Sequence, residues 1–266
     1  MSGKVVLDGG KALQMTTSDD HVIISYIPNL NFDFASLFAW LMQQYYTRVK
    51  YISQYGKPNS TPRLTWCWGH IEGHDINKPV KYRQLNFLPE RMPPQLEALS
   101  QYIRACVIQN YGFDPQYNSV LIGRYENGND TIGFHTDAET FLEHLFCANV
   151  SVGYEREFQF RDDRPETMAQ NGGKPVTNEI KLRSGSVLFF SGVEHALPKR
   201  AHHDAQKGIR FSISFRKMGN DIGIGNTMYY CRGLDGAVND ELKVAYQEKL
   251  SKLQQEKALA AQGMGV

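Results

Sequence analysis

The sequence is poor in cysteine, and its cysteines are widely spaced. Only four occur in 266 residues, and no two of them form a Cys-x-x-Cys pair: they are Cys67, Cys106, Cys147 and Cys231. Domains built on disulfide bonds need a much higher cysteine density. The low count therefore excludes that class, and we expect reduced thiols in an intracellular protein, cytoplasmic or, in a eukaryote, nuclear.

The chain also lacks an excess of charge of either sign. Lysine and arginine total 29 against 28 for aspartate and glutamate, which gives a formal net charge of +1. This balance creates no strong overall field that would attract a polyanion. Any contact with nucleic acid must therefore depend on a local basic track, for which the candidates are Arg63, Lys78, Lys81, Arg83, Lys199, Arg200 and Lys207. For each of them, a solvated surface position is the alternative.

Long apolar runs are missing as well. The first ten residues do not combine a basic segment with an apolar one, and no later stretch approaches the roughly 18 apolar residues that span a bilayer. We therefore expect a soluble protein without membrane contacts. We also expect it to be a monomer.

Short strands dominate what is present. A 41% share of hydrophobic residues is enough for one sizeable core, which predicts a single domain over residues 1–266 with its core at about 60–217. Gly, Asn, Asp and Pro separate the β-rich runs, which lie at 21–28, 118–125, 148–153, 156–161, 179–182, 186–190 and 210–215. This pattern predicts a mainly β, α+β fold built as an antiparallel sandwich or jelly roll.

Helical spacing of apolar residues occurs in three segments. It predicts helices over 34–49 and 93–111, the second ending beside Gly112, and a terminal helix over about 239–262. The stretch 56–87, rich in Gly, Pro and aromatic residues, predicts functional loops or short hairpins that form a substrate-side lid. The polar stretch 161–178 predicts an exposed loop between strands.

Three residues have the types and order of a metal site. His135 and Asp137 lie two positions apart, so on a strand both side chains would share one face. His195 follows an apolar strand and supplies a third ligand. Two histidines and one carboxylate form a facial triad that leaves half of an octahedral iron open for a co-substrate and oxygen. Zinc usually prefers a closed tetrahedral set.

The His-x-Asp pattern alone is weak, because it recurs at His202-His203-Asp204. No histidine follows that second match, and its polar surroundings favour a solvated turn. Capping, turn or core roles remain the alternative for the first match.

The segment 210–216 contains two arginines whose positive charges suit an acidic co-substrate. Period-two alternation puts Arg210, Ser212, Ser214 and Arg216 on one face and three apolar residues on the other. The guanidinium group of arginine suits a carboxylate. A dicarboxylic acid such as 2-oxoglutarate would therefore pair with two arginines. Surface ion pairs are the alternative for each arginine.

Taken together, the segments 118–128, 129–137 and 210–216 resemble the AlkB family of iron(II)- and 2-oxoglutarate-dependent dioxygenases, over about residues 63–217. The resemblance implies a double-stranded β-helix with buttressing helices, and Fe(II), 2-oxoglutarate and O₂ as cofactors. It implies metal ligands at His135, Asp137 and His195, and a 2-oxoglutarate site that contains Tyr125, Arg210, Arg216 and Ser212. On the substrate side it implies Glu139, Arg156 and, from the segment 62–65, Arg63.

Three positions depart from the family pattern. Gly123 and Ser212 stand where the family often has asparagine, and Ala138 stands where an acidic residue is frequent. These departures affect the co-substrate geometry and the choice of substrate.

The resemblance further implies oxidation, with demethylation, of alkylated bases in DNA or RNA. A base must be flipped out of its stack and held between flat side chains, for which Trp66, Trp68 and Tyr82 are candidates. Core packing is the alternative for these aromatic residues. Hydroxylation of a protein side chain, a nucleoside, another small molecule or a carbon-bound methyl on a base would use the same triad. A catalytically silent nucleic-acid-binding jelly roll is disfavoured, because all three ligands and both arginines are present.

Overall fold

The computed structural model describes residues 6–7, 13–16, 23–46, 48, 50–52, 58–69, 80–82, 85–87, 92–137, 146–163, 165–199 and 208–217. Several sequence-based expectations lie outside these residues: the terminal helix at 239–262, the second His-x-Asp match, and the residues Lys78, Arg83, Ala138, Glu139, Arg200 and Lys207.

Strands make up most of the described chain. In chain order they are β1 (Val6–Leu7), β2 (Leu13–Thr16), β3 (Ile23–Ile27), β4 (Lys50–Ile52), β5 (Pro58–Ser60), β6 (Leu64–Gly69), β7 (Val80–Tyr82), β8 (Leu85–Phe87), β9 (Ser119–Tyr125), β10 (Ile132–His135), β11 (Cys147–Gly153), β12 (Arg156–Asp162), β13 (Val176–Leu182), β14 (Ser186–Ser191), β15 (His195–Leu197) and β16 (Arg210–Arg216). Three helices accompany them, α1 (Phe34–Met42), α2 (Pro94–Tyr111) and α3 (Pro165–Gln170).

The strands form two main sheets. The large sheet has the order β2-β3-β14-β11-β16-β9-β6, and all of its neighbours are antiparallel. The small sheet has the order β1-β13-β12-β15-β10, antiparallel except for the β1–β13 pair. Two further pairs, β4–β5 and β7–β8, stand apart from them. The predicted jelly roll, mainly β with few helices, is confirmed.

Helices α1 and α2 cover one face of the large sheet. Their buried residues Leu41, Leu99 and Ile103 belong to one core cluster with Ile122 and Ile213 of the sheet. The buttressing helices expected from the sequence are therefore present. A second cluster joins the small sheet to the large one, and it contains Tyr26, Phe158, Phe160, Ile180, Leu182, Leu188 and Phe190. Among the described residues, no helix combines the length and apolar character needed to cross a membrane.

Helix α2 has the predicted boundaries. Pro93 and Pro94 begin it, and Gly112 ends it with φ of 74°, a left-handed conformation in which the Gly112 N–H donates to the carbonyl of Ile108.

The prediction for α1 was too long, because the helix ends at Met42 and not at residue 49. Gln43 and Gln44 close the last turn with bonds to the carbonyls of Trp40 and Leu41. Tyr46 then folds back, and its hydroxyl donates to the Leu41 carbonyl at 3.1 Å. The tertiary burial of Tyr46 thus overrides the helical spacing of the sequence.

The prediction of a continuous loop at 161–178 was wrong in part. Strand β12 continues to Asp162, helix α3 occupies 165–170, and β13 begins at Val176. Pro165 suits a first helical position, and the hydroxyl of Thr167 donates to the carboxylate of Asp162 at 3.2 Å. These local contacts support a short helix in a polar segment that shows no apolar periodicity.

Trp66 belongs to the hydrophobic core. Its side chain is 1% exposed, and its ring lies 5.8 Å from that of Trp40 and 5.6 Å from that of Tyr46. Of the two interpretations left open by the sequence, core packing fits this residue and base stacking does not. Trp68 pairs with Val120 in the β6–β9 ladder, and Tyr82 pairs with Leu85, while their side chains lie outside the described part of the chain.

Replacing Trp66 with alanine is expected to lower the free energy of unfolding by about 3–5 kcal/mol, because the indole fills the space between α1 and the large sheet. Urea denaturation measures this change. Tyr45→Ala is the matched control, since Tyr45 is 66% exposed and its loss should change stability by less than about 0.5 kcal/mol. An equally small effect for Trp66→Ala would contradict the core assignment.

Candidate active site

Two histidines and one aspartate converge between strands β10 and β15. His135 ends β10 and pairs directly with His195, the first residue of β15. The two imidazole centroids lie 4.2 Å apart, and His135 Nε2 lies 3.7 Å from Asp137 Oδ1. One ligand atom from each of the three residues lies within 4.8 Å of the others. The predicted triad is therefore assembled in space.

The path of the chain to Asp137 differs from the expectation. The sequence placed His135 and Asp137 on one strand face, but β10 ends at His135, and Asp137 lies in the irregular segment that follows. The β10–β15 register also shifts between Ile132 and His135. The carboxylate thus reaches the site because the strand ends there, and not through period-two alternation.

Backbone carbonyls fix the orientation of both imidazoles. His135 Nδ1 lies 2.8 Å from the Gly133 carbonyl oxygen, and His195 Nδ1 lies 2.9 Å from that of Val193. A carbonyl can only accept, so each neutral imidazole carries its proton on Nδ1. Each Nε2 therefore keeps its lone pair for a metal ion, as in many metalloproteins.

Arg216 keeps Asp137 ionised. Its Nη2 and Nε donate to Asp137 Oδ2 at 2.5 and 3.2 Å, and both side chains are buried. Burial raises the pKa of Asp137, but the charge and hydrogen bonds of Arg216, together with the electrostatic effect of the two imidazoles, outweigh burial and hold that pKa below its ordinary value. The carboxylate is therefore charged, as metal ligation requires.

Aromatic rings shield the triad from one side. Phe158 stacks on His195 with centroids 5.2 Å apart, and Phe190 lies 4.6 Å from the same ring. Such surroundings exclude water and strengthen the electrostatic interactions at the site.

The donor set fits divalent iron. Two imidazole nitrogens and one carboxylate supply three ligands, and Arg216 occupies only one of the two carboxylate oxygens. Three protein ligands leave half of an octahedral ion open, which is the arrangement of iron(II) oxygenases. His135, Asp137 and His195 are therefore able to hold the metal.

A pocket opens beside the triad on the inner face of the large sheet. It encloses about 500 Å³ of space between the atoms, with its open mouth included. Its lining combines the two histidines with arginines, small polar residues and apolar side chains: Arg63, Leu121, Gly123, Tyr125, Ile132, His135, Asn149, Phe158, Phe190, His195, Leu197, Arg210, Ser212, Ser214 and Arg216. The alternation predicted for 210–216 is confirmed, because Phe211, Ile213 and Phe215 face the helix-covered core instead.

Arg210 is a buried cation that has no anionic partner among the residues described by the structure. Its side chain is 2% exposed, and Nη2 donates to Ser151 Oγ at 3.0 Å. Nε and Nη1 have no hydrogen-bond partner among the described residues. Burial and the positive charges of Arg156 and Arg63 lower the pKa of Arg210 to about 10. A carboxylate placed here would satisfy the free donors and the charge together.

Tyr125 lies at the centre of the basic end of the pocket. Its ring centroid is 5.2 Å from the guanidinium carbon of Arg210, 5.9 Å from that of Arg63 and 6.0 Å from that of Arg156. Gly123 makes this arrangement possible, since a Cβ there would lie 3.1 Å from Arg63 Nε. Arg63, expected on the substrate side, thus lines the same pocket as Arg210.

Arg156 and Arg216 have contacts that differ from their expected roles. Arg156 is 3% exposed and donates to the carbonyls of Asn127, Asp130 and Pro198 at 3.2, 3.3 and 2.7 Å. It therefore ties the turn after β9 to the residue that follows β15, and its expected role on the substrate side remains a prediction. Arg216 contacts the metal-ligand carboxylate, so a contact with 2-oxoglutarate remains a prediction for it.

The sequence analysis missed Asn149. Its Nδ2 donates to Ser212 Oγ and to Ser214 Oγ, both at 2.8 Å, while its buried Oδ1 has no hydrogen-bond partner among the described residues. Asparagine is unusual in the middle of an apolar strand. Its alternation with Val150 could therefore have identified it as a pocket residue on the face that it shares with Ser151.

Comparisons with known proteins agree with this geometry. The family model of the 2OG-Fe(II) oxygenase superfamily matches residues 34–216. The chain is 29% identical over 175 residues to the DNA oxidative demethylase ALKBH2 of Homo sapiens, covering 63% of this chain and 60% of that protein. It is 26% identical over 163 residues to the alpha-ketoglutarate-dependent dioxygenase alkB homolog 3 of Homo sapiens, covering 58% and 51%. The matches thus span about half to three-fifths of these relatives.

A solved structure gives a more distant likeness. An oxidoreductase of the 2OG-Fe(II) oxygenase family from Burkholderia pseudomallei resembles this chain with a TM-score of 0.47 and 13% identity, covering 76% of this chain and 88% of that one. A likeness of this size carries no argument about function.

Arg210→Met is expected to have opposite effects on stability and binding. Removing a buried, uncompensated charge should raise the free energy of unfolding of the ligand-free protein by about 1–3 kcal/mol. Affinity for 2-oxoglutarate, measured by calorimetry on Mn(II)-loaded protein without oxygen, should fall by about a hundredfold. Arg104→Met, which removes only an exposed pair with Asp114, should leave affinity unchanged. Unaltered binding by Arg210→Met would contradict the assignment.

Asn149→Asp tests whether the amide faces the bound co-substrate. A carboxylate at this position would repel an incoming dicarboxylate, so affinity for 2-oxoglutarate should fall at least about tenfold. The same calorimetry measures it, with Asn149→Ser as the uncharged control, which should bind within about threefold of the wild type. Equal affinities of the two variants would show that Asn149 lies away from the ligand.

Proposed function

We propose that this chain, which belongs to the 2OG-Fe(II) oxygenase superfamily, oxidises and thereby demethylates alkylated bases in DNA or RNA. As a member of that superfamily it is a dioxygenase that uses Fe(II), 2-oxoglutarate and O₂. The observation that carries the proposal is a His–Asp–His group whose two histidines line the same pocket as the buried cation of Arg210, which has no anionic partner among the described residues.

Each part of the site has a distinct task in this proposal. His135, Asp137 and His195 would hold the iron, which with 2-oxoglutarate and O₂ supplies the oxidising power for C–H hydroxylation. Arg210 binds the carboxylate of 2-oxoglutarate that is remote from its keto group. Arg216 keeps Asp137 anionic throughout, and Phe158 and Phe190 keep water away from the imidazole of His195.

The overall reaction balances without a further reductant. One oxygen atom of O₂ enters 2-oxoglutarate, which becomes succinate and carbon dioxide, and the other enters the methyl C–H bond. On nitrogen, the resulting N-hydroxymethyl group collapses to formaldehyde and the free base. On carbon, the alcohol would persist.

The choice of nucleic acid as substrate is supported by the relatives. Proteins of Homo sapiens and Arabidopsis thaliana that match this chain are named DNA oxidative demethylases. Arg63 at the pocket and the exposed Lys199 after β15 are basic residues in reach of a phosphate backbone. Because the chain as a whole is almost neutral, binding of a phosphate backbone would depend on these local positive charges. We also retain a monomer as a prediction.

The proposal is tested by comparing several substrate classes under one set of reaction conditions. Iron-loaded protein with 2-oxoglutarate and oxygen should be incubated with methylated oligonucleotides of DNA and RNA, methylated nucleosides and peptides. Mass spectrometry then detects loss of about 14 daltons for demethylation or gain of about 16 daltons for hydroxylation. We expect loss from an oligonucleotide. Turnover of peptides or small molecules alone would overturn the nucleic-acid assignment and favour the hydroxylase alternative.

His135→Ala and Asp137→Ala should both abolish the conversion of 2-oxoglutarate to succinate, because each removes one of the three proposed metal ligands. Succinate is measured by mass spectrometry with and without substrate. Lys181→Met, on the exposed surface of β13, serves as a control with normal turnover. Normal turnover in either triad variant would disprove the proposed site.

A further inference from the structure

The two strands that carry the metal ligands are short and weakly held. Strand β10 has four residues, β15 has three, and β10 lies at the edge of the small sheet with β15 as its neighbour. Their register is irregular, with paired positions at Ile132–Leu197 and His135–His195. An edge strand with few ladder bonds is poorly fixed by its backbone alone. Side-chain contacts from outside these two strands must therefore help to set the distance between the two imidazoles.

Arg161 of β12 reaches both of these strands. Its backbone N–H donates to the Glu194 carbonyl at 2.8 Å, and its Nη1 donates to the Glu194 carboxylate at 2.7 Å. Its guanidinium carbon also lies 4.1 Å from the ring centroid of Phe134. One side chain thus contacts β10 directly and binds the residue that precedes β15.

Both contacts are made beside a metal ligand. Phe134 immediately precedes His135, and Glu194 immediately precedes His195. His135 and His195 line the pocket, whereas Phe134 and Glu194 are not among its lining residues. Arg161 is likewise half-exposed, while its neighbour Phe160 is buried and pairs with His195. The contacts therefore lie on the face opposite the triad.

We propose that Arg161, Glu194 and Phe134 form an outer clamp that positions His135 and His195 for metal binding from the far side of the small sheet. This inference rests on the proposed metal-binding role of the triad. The three residues touch neither metal nor co-substrate, so they are positioning residues. Their effect is to hold the edge strand β10 against β15 at the spacing that the ion requires.

The clamp differs from an ordinary surface ion pair in what it restrains. An exposed ion pair or cation–π contact contributes little to global stability. Here, however, the same contacts set the distance between two ligands on different strands, and metal affinity is sensitive to such outer residues. A loss of the clamp should therefore appear in metal affinity more than in the stability of the metal-free fold.

The matched control lies on the same sheet. Lys181 of β13 forms an exposed pair with Glu155 at 2.7 Å, the same distance as the Arg161–Glu194 pair. Its side chain is 46% exposed, against 39% for Arg161. The Lys181–Glu155 pair contacts neither β10 nor β15 by any contact described, so Lys181→Met removes an equivalent surface interaction away from the ligands.

The experiment compares wild type, Arg161→Met, Arg161→Lys and Lys181→Met in the full chain. Mn(II) affinity is measured by competition with a chelating dye, without 2-oxoglutarate, and Co(II)-loaded protein gives a visible spectrum that reports ligand geometry. We expect Arg161→Met to weaken Mn(II) binding roughly three- to tenfold and to alter the Co(II) spectrum. Arg161→Lys should recover part of the affinity, and Lys181→Met should match the wild type.

Urea unfolding of the metal-free proteins separates positioning from folding. Arg161→Met and Lys181→Met should lower the unfolding midpoint by the same small amount. Equal Mn(II) affinities of these two variants, or a Co(II) spectrum of Arg161→Met identical to that of the wild type, would overturn the clamp. If the wild type bound no Mn(II), or if His135→Ala bound it normally, the proposed metal site itself would fail.

Discussion

The buried pair between Arg216 and Asp137 is the interaction on which the site depends. A carboxylate ligates a metal only when it is ionised, and burial among aromatic rings opposes ionisation. The two bonds from Arg216 reverse that effect before any metal arrives. The arginine comes from β16, in the interior of the large sheet, between β11 and β9. The ionisation of Asp137, which lies in an irregular segment, is thus controlled by a residue of an interior strand of the large sheet.

The same strand, β16, also carries Arg210, whose electrostatic surroundings are opposite to those of Arg216. Arg216 is matched by a carboxylate, whereas Arg210 is equally buried and is surrounded by Arg63 and Arg156. Folding alone would not favour such a cluster of like charges, since a buried cation needs a partner. This excess of positive charge is explained by an anionic ligand that binds in the pocket. The contrast between the two arginines supports different proposed roles: Arg216 keeps Asp137 ionised, and Arg210 binds the co-substrate.

Period-two alternation was enough to predict the two faces of β16, whereas the triad of His135, Asp137 and His195 was predicted only in combination with the arginines of that strand and the family resemblance. Alternation could not tell which face of β6 meets the helices, so Trp66 remained ambiguous until α1 was seen to pack on it. Asn149 was missed because its neighbours Ser212 and Ser214 lie on β16, about 63 residues later, and only the β11–β16 register brings them together. The end of α1 depends in the same way on the distant packing of Tyr46 against Trp66. The fold class was therefore accessible from local patterns, while contacts between strands far apart in sequence were not.

A chain with a net charge of +1 can still favour a dianion, because positive charges gather at one end of the pocket. Arg63 and Arg210 line the pocket there, and the guanidinium of the buried Arg156 lies beside the same Tyr125 ring. Surface charges are screened by water and salt, but charges in a closed pocket are not. Gly123 contributes to this concentration by leaving room for Arg63 beside Tyr125. The missing side chain at position 123 thus lets the guanidinium of Arg63, the residue before β6, lie close to the ring of Tyr125. The resulting potential favours an anionic ligand even though the protein as a whole is almost neutral.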